Sequence, residues 1–371
     1  MPRLQLKERC QESRRVDYAS LSFHVGTRRK MQDAFDEVVD VLENVGGGFG
    51  FEEQARPSMH YDRVFTNDLE CRIELTQPDS GLRNAGRMLV SIPGRPFYLQ
   101  TSGEQAFMLY RLIRSTGYRW FTRLDLQNTQ LEPEFNTDSV FQAVLEGKLW
   151  VKGYSCFRPG GDIEADLTSP KGQTVYWGSR RSDRQGRTYD KAKDGGWKTE
   201  AIRDELQLRG AWAKAYGEEL AKGLAAAHTT DDMADSVSAL VVSGLNNHLQ
   251  YWTLNGTHPK TDKNWQRKAE VADWFTRRIG THQEPIRKPQ RPEHDLDAVV
   301  SYGVQQYGRS FALWVARYME THDCTYAEAN AVLVARFQAR MKPEDEPYMG
   351  FLKTVQAWEA NASEELFGMD A

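Results

Sequence analysis

VDYASLSFHVGTRRKMQDAFDEVVDVLENVGGG, residues 16–48, changes periodicity once, and that change sets the architecture. In the first ten residues Ala19, Leu21, Phe23 and Val25 alternate with Ser20, Ser22 and His24, the period of a half-buried strand. From Arg28 the spacing lengthens to that of a helix, with Met31, Phe35, Val38, Val39 and Leu42 on one stripe and Gly46, Gly47 and Gly48 closing it. A strand feeding a helix through a short turn is the opening of a layered α/β unit.

Working outward, 69–77 and 86–94 read as two further strands, 102–118 as a helix opened by Ser102, and 120–129 as a strand. The order β-α-β-β-α-β predicts an α+β fold built on a ferredoxin-like unit, two helices on one antiparallel sheet. Residues 138–148 (helix), 175–180, 186–193 and 201–210 (strands) and 211–227 (Ala-rich helix) partly repeat the plan as a second related half. From about 231 the spacing turns helical, including 264–280, and HQEPIRKPQRPEHD (282–295) carries three prolines. The expected organisation is a lead (1–15), one large domain (16–280) with halves of about 16–130 and 131–280, a linker (281–296) and a helical C-terminal region (297–371).

At 371 residues, 40% hydrophobic and 27% charged, the chain can bury a proper core and is not of disordered composition. A net charge of −4 argues against coating of nucleic acid through bulk charge, yet cations gather locally between Arg180 and Lys198. The four cysteines have no ligand spacing, which suits free thiols in a reducing cytoplasm. No apolar run is long enough for a membrane span, and the polar N-terminus does not resemble a signal peptide, so a cytoplasmic protein with no membrane partner is expected.

Chemistry concentrates in GRTYDKAK (186–193) and AIRDELQLRG (201–210). Alternation puts Tyr189 between Arg187 and Lys191 on one strand face. Phenolate at pH 7 costs roughly 4 kcal/mol, which neighbouring cations or a metal on the phosphate can offset. Arg180, Arg181 and Arg184 in the preceding turn could grip a nucleic-acid backbone, with Lys193, Arg203 and Arg209 as further cations for it. Glu205 on its strand and Asp125 in WFTRLDLQNT (120–129) are oxygen donors suited to Mg²⁺ or Mn²⁺. Asp17 is a weaker third, since alternation assigns it to the apolar face. The eight histidines are isolated, so any metal here rests on carboxylates, and no GxxxxGKS loop is present for ATP. The plain alternatives are a packed tyrosine, a solvated charged strand face and a soluble Arg-rich loop.

VDYASLSF (16–23), LVSIPGRPFYL (89–99), FTRLDLQNT (121–129), YWGSRRSDRQGRTYDKAK (176–193) and IRDELQLRG (202–210) occur in the order of a known family. Together they resemble the trans-acting rolling-circle replication initiators of plasmids and filamentous phages, the replication initiation factor family, over roughly 16–280. The resemblance implies that 16–280 is a nicking domain. Tyr189 would cut one strand at an origin hairpin with a single-stranded nick site and stay joined to the 5′ phosphate. The freed 3′-OH would prime synthesis, and Asp125 and Glu205 would help hold a divalent ion. A separate helicase and a second copy of the chain are possible partners. The element at Asp125 reads RLDLQN, without the commoner Ala and second Asp, which leaves the ligand number open. The competing readings are a conjugative relaxase, a non-catalytic origin- or operator-binding protein, and an RNA-binding sheet, the last lacking paired aromatics on adjacent strands. The C-terminal stretch THDCTYAEANAVLVARFQARM (321–341) could form a helix-turn-helix, but reads better as packing or partner helices.

Overall fold

The computed structural model describes residues 13–46, 50–56, 58, 60–82, 84–151, 153–154, 157–163, 170–195, 198–256, 262–280, 286 and 312–338. The chain divides into two compact units, Met1–Pro289 and Gln290–Ala371. The first is organised by one antiparallel sheet that both halves share.

β1 (Ser13–His24) leads through Thr27, whose hydroxyl accepts from the Lys30 N–H, into α1 (Arg28–Gly46). Met31, Ala34, Val38, Val41 and Leu42 are the buried stripe of α1. Short strands β2 (Glu52–Glu53) and β3 (Arg63–Thr66) precede the hairpin β4 (Arg72–Leu75) and β5 (Arg87–Ile92). A short helix α2 (Gly94–Tyr98) follows, then α3 (Ser102–Arg114), started by a capping box between Thr101 and Glu104. β6 (Tyr118–Leu131) completes the first half.

The second half runs α4 (Thr137–Leu145), β7 (Leu149–Val151), β8 (Phe157–Ile163), β9 (Pro170–Trp177), β10 (Arg184–Asp190), α5 (Lys191–Gly195) and β11 (Ala201–Arg209). α6 (Gly210–Ala226) and α7 (Thr230–His248), the latter capped by Thr229 and Asp232, then pack over it. The ten-stranded order is β2-β3-β4-β5-β1-β6-β11-β10-β9-β8. β6 pairs with β11 without interruption from Leu131↔Ala201 to Arg123↔Arg209, so the halves are one mixed α/β body on a single sheet.

The spacing-based elements hold in kind and shift at their edges. β1 begins at Ser13, within the stretch expected as a lead. Strand 186–193 stops at Asp190, because Lys191–Gly195 turns helical, with Asp190 accepting from the Lys193 N–H. The all-helical reading beyond 231 needs correction. β12 (Tyr251–Thr253) pairs with both β7 and β13 (Glu270–Val271) in a small second sheet, and of 264–280 only α8 (Asp273–Ile279) is an α-helix. Both strands are too short to display a period of two. The Pro-rich 282–295 stretch lies outside the described residues, save Ile286. In the second unit, 312–322 and Tyr326–Gln338 are helices α9 and α10 joined by a turn in which Thr325 and Glu328 cap each other. No helix among the described residues is long and apolar enough to cross a membrane.

The sheet has a helix-covered face and a polar one. Leu124, Leu126, Leu206 and Leu208 lie buried under α6 and α7. Gly217 and Gly244 allow that approach: a Cβ would sit 2.3 Å from the Phe121 ring at the first and 2.7 Å from Leu126 at the second. Gly217→Ala should therefore destabilise. The helix-propensity gain of about 0.5–1 kcal/mol is outweighed by about 1–3 kcal/mol of overpacking against a ring with no room to move. Thermal denaturation should give a lower midpoint, and an unchanged or higher one would contradict this packing.

The same face buries His248, whose Nδ1 lies 3.0 Å from Arg184 Nη1 while Trp212 packs edge-on at 4.5 Å. Burial, aided by the Arg184 charge, lowers the imidazole pKa from 6.5 to about 3. Between those values the unfolded chain binds a proton that the folded chain refuses, so His248 costs stability progressively as pH falls from about 6.5 towards 3. His248→Gln should flatten the urea-denaturation stability profile across that window, and an unaltered acid limb would refute the assignment.

Candidate functional site

The polar face is set out in rows by strand register. Tyr189 stands opposite Arg203, and Arg203 opposite Thr129. Arg187 stands opposite Glu205, and Glu205 opposite Gln127. Gln185 stands opposite Gln207, and Gln207 opposite Asp125. Side chains directly opposite on antiparallel strands interact, and the contacts follow these rows. Arg187 Nη2 donates to Glu205 at 2.5 and 2.6 Å, Arg203 Nε to Thr129 Oγ1 at 2.9 Å, and Gln207 Nε2 to Asp125 at 3.3 Å. Arg123 adds bonds of 3.0 and 2.5 Å to Asp125 from its own strand.

Tyr189 is half-buried at the centre. Its hydroxyl donates to Glu205 Oε2 at 3.4 Å and accepts from Arg203 Nη1 at 3.5 Å. The Arg187 guanidinium lies 5.2 Å and Lys191 Nζ 5.8 Å from the ring centroid. Lys191 reaches it from the first turn of α5 and not from the strand, and it is paired with Asp194. Burial pushes the Tyr189 phenol up; Arg203 and Arg187 pull it down, and Glu205 and Asp17 oppose them. The phenol is thus neutral in this arrangement.

Asp17 joins this face, contrary to simple alternation. A bulge interrupts the β1–β6 register between Val16 and Tyr18, so Val16 and Ala19 both enter the core while Asp17 meets Arg203 at 3.5 Å and the Tyr98 hydroxyl. Asp125 and Glu205 are almost completely buried. Burial pushes the Glu205 carboxyl up to about 7 against the pull of Arg187, with Asp17 and Asp125 adding to the rise. Asp125 is raised by burial too, with Arg123 opposing. The Arg187 pKa moves the opposite way from that of a neutralised Glu205 partner: burial lowers it, but Glu205 and Tyr189 more than compensate. The 2.5–2.6 Å contacts favour an ion pair, so Glu205 is charged above neutrality; burial is the main cause of its rise, and the neighbouring carboxylates add to it.

The three acids supply only oxygen donors, the kind Mg²⁺ and Mn²⁺ prefer, and their mutual repulsion is what a cation relieves. Their arrangement is a different matter. Among the described residues no group of three or more His, Cys, Asp or Glu side chains is placed to hold a metal ion, and Arg123, Arg187 and Arg203 occupy the carboxylates.

The other expected cations disperse. Arg203 is buried under Tyr189; burial works against its charge, and Tyr189, Tyr98, Asp17 and Glu205 outweigh it. Arg184 projects from the helix-covered face, donating to the Gly153 carbonyl at 3.1 Å beside His248, because it shares the parity of Gly186 and Thr188, not that of Tyr189. Arg180 and Arg181 are exposed in the turn, where Arg209 donates to the Arg180 carbonyl at 2.7 Å. Lys193 lies 3.3 Å from Asp190. Sequence reasoning missed Tyr98, which lies just beyond the strand expected at 86–94. The Pro93-Gly94 break ends β5 and starts α2, and that turn delivers the Tyr98 hydroxyl to Asp17 and Arg203. Asp204, on the core side, accepts from Thr188 Oγ1 at 2.7 Å and lies 3.0 Å from Arg278 Nε in an ion pair.

No curated protein sequence matches the chain. Among solved structures it is similar to the rolling circle replication initiator protein from Geobacillus stearothermophilus, with a TM-score of 0.52 and 19% identity over 75% of this chain and 100% of that one. That likeness concerns the fold. Residues 119–326, more than half of the sequence and including β6, β10 and β11, match the family described as replication initiation factor. The chain therefore belongs to the replication initiation factor family, Rep_trans.

Proposed function

We propose that the protein is a rolling-circle initiator that nicks one DNA strand at its origin, with Tyr189 as nucleophile. The observation that carries this reading is the Tyr189 hydroxyl held 3.4 Å from Glu205 and 3.5 Å from Arg203, in a row flanked by Arg187. Glu205 is positioned to accept the phenolic proton, and Arg203 to stabilise the phenolate. The tyrosine oxygen attacks phosphorus, and the bond from phosphorus to the 3′ oxygen breaks. The 3′ oxygen takes a proton from water and leaves as a hydroxyl that primes synthesis. The 5′ end stays on Tyr189 as a phosphotyrosine, and reversal of the transfer rejoins strands without ATP. Arg187, half-exposed beside the ring, and Lys191 are the cations nearest an incoming phosphate.

For Asp17, Asp125 and Glu205 to hold Mg²⁺ or Mn²⁺, Arg203, Arg123 and Arg187 would have to release them. Bound there, such an ion would neutralise the carboxylates that raise the Tyr189 pKa and withdraw charge from the phosphate. Arg187 would then exchange Glu205 for the DNA backbone. The DNA partner is an origin hairpin with a single-stranded nick site, gripped by Arg180, Arg181 and Arg209; a separate helicase and a second copy of the chain are the further partners. Residues 16–280 would form the nicking domain, with 281–371 accessory to it.

Supercoiled plasmid carrying the cognate origin, incubated with the protein and Mg²⁺ or Mn²⁺, should yield relaxed circles with protein on the 5′ end. Tyr189→Phe should lower this by several orders of magnitude at an unchanged melting temperature, because the nucleophile itself is removed. Glu205→Gln should lower the rate and its metal dependence together. Tight binding with intact supercoils would assign the protein to non-catalytic origin binding.

A further inference from the structure

The polar face continues past Tyr189 onto the strands beyond β10. Tyr176 on β9 stands opposite Arg187, and Arg158 on β8 stands opposite Tyr176. Val175 and Trp177, on either side of Tyr176 in the chain, are buried in the core. Tyr176 and Arg158 therefore share the open face with Arg187 and Tyr189. The Arg158 guanidinium carbon lies 4.6 Å from the centroid of the Tyr176 ring. Arg158 is exposed, and Tyr176 is half-buried.

The two flanks of Tyr189 differ in charge. On the β1–β6 side Arg123 lies 4.0 Å over the Tyr18 ring, but Asp125 holds that guanidinium. Arg187 and Arg203 are held by Glu205 and Asp17, and Lys191 is held by Asp194. Arg158 forms no ion pair among the described residues, and the negative face of the Tyr176 ring is what receives its charge. A ring layered with an unneutralised guanidinium suits an unpaired nucleotide, whose base has a π face and whose phosphate is an anion.

Resting on the reading of Tyr189 as nucleophile, we infer that Tyr176 and Arg158 bind the unpaired DNA strand beside the scissile phosphate. A base stacks on the layer formed by ring and guanidinium, and an Arg158 N–H donates to the backbone of the same strand. Successive strands of a sheet lie about 4.8 Å apart, so the platform begins one strand from Arg187. Three carboxylates on the β6 side repel a polyanion that Arg158 attracts. Charge thus directs the strand from Tyr189 towards β8.

The test is fluorescence anisotropy of a short mixed-sequence oligonucleotide with the full chain, without divalent metal, so that binding is read apart from cleavage. Arg158→Gln should lower the slope of log affinity against log salt by about 0.7, the share of one phosphate on a single strand. Tyr176→Leu keeps apolar bulk but has no π face, and should weaken single-strand binding about fivefold or more, with Tyr176→Phe restoring it. Affinity for a blunt duplex of the same sequence should not respond to Tyr176→Leu, because paired bases cannot stack on a side chain. Melting temperatures confirm folding, and the exposed Arg158 carries the test if Tyr176→Leu does not fold. The inference is overturned if the wild type fails to bind the single strand or if Arg158→Gln leaves the slope unchanged. It is overturned equally if folded Tyr176→Leu binds the single strand as the wild type does, or loses the duplex to the same extent. Cleavage assays in parallel separate this inference from the reading it rests on. Cleavage that needs Tyr189, with these affinities unaltered, removes the platform and leaves the nucleophile, whereas altered affinities without cleavage do the reverse.

Discussion

β11 lies against β6 over nine consecutive pairs, from Ala201↔Leu131 to Arg209↔Arg123, and the site is a consequence of that register. The pairing makes Asp125 and Glu205 diagonal neighbours, about 7–8 Å apart at their backbones, and sets both on the face that Arg187 and Tyr189 occupy from β10. It also fuses the two halves into one sheet, with Leu124 and Leu126 beside Leu206 and Leu208 beneath the covering helices. A slip of one residue would send Glu205 into the apolar layer and Leu206 to the polar face. The leucines thus guard the register of the acids.

The polar face is energetically demanding. Three carboxylates on neighbouring strands repel one another, and each lost several kcal/mol of hydration on burial. Arginines answer this: Arg123 on Asp125, Arg187 on Glu205, Arg203 on Asp17. Arg187 is about two-fifths exposed and Arg123 about one-third, whereas Arg203 is buried. Arg203 is enclosed by Thr129, Tyr98, Asp17 and Tyr189 and acts as a fixed charge under the phenol. A buried positive charge and a partly exposed one thus lie on either side of a neutral tyrosine.

Alternation conveyed the faces of β6, β10 and β11 because each is a long strand between unlike environments. It misassigned Asp17, since one inserted residue in β1 reverses parity locally, and a bulge has no compositional mark in VDYAS. It also could not separate Arg184 from its neighbours in the turn, because whether that turn belongs to the strand decides which way the side chain points. Lys191 illustrates the converse: the strand ends before it, yet the first helical turn still carries it over the ring.

By itself, the sequence determined the alternating strands, the amphipathic helices and the grouping of Tyr189, Arg187, Asp125 and Glu205 on like faces, since these follow from local periodicity. Tertiary structure decided which groups touch: the Arg187–Glu205 pair, the burial of Arg203, the arrival of Tyr98 from α2, the sequestration of Arg184 by His248, and the layering of Arg158 on Tyr176. The physical reason is that periodicity encodes only the environment each side chain must meet. Partners, desolvation and charge come from strands and helices far apart in the chain, brought together by register and packing.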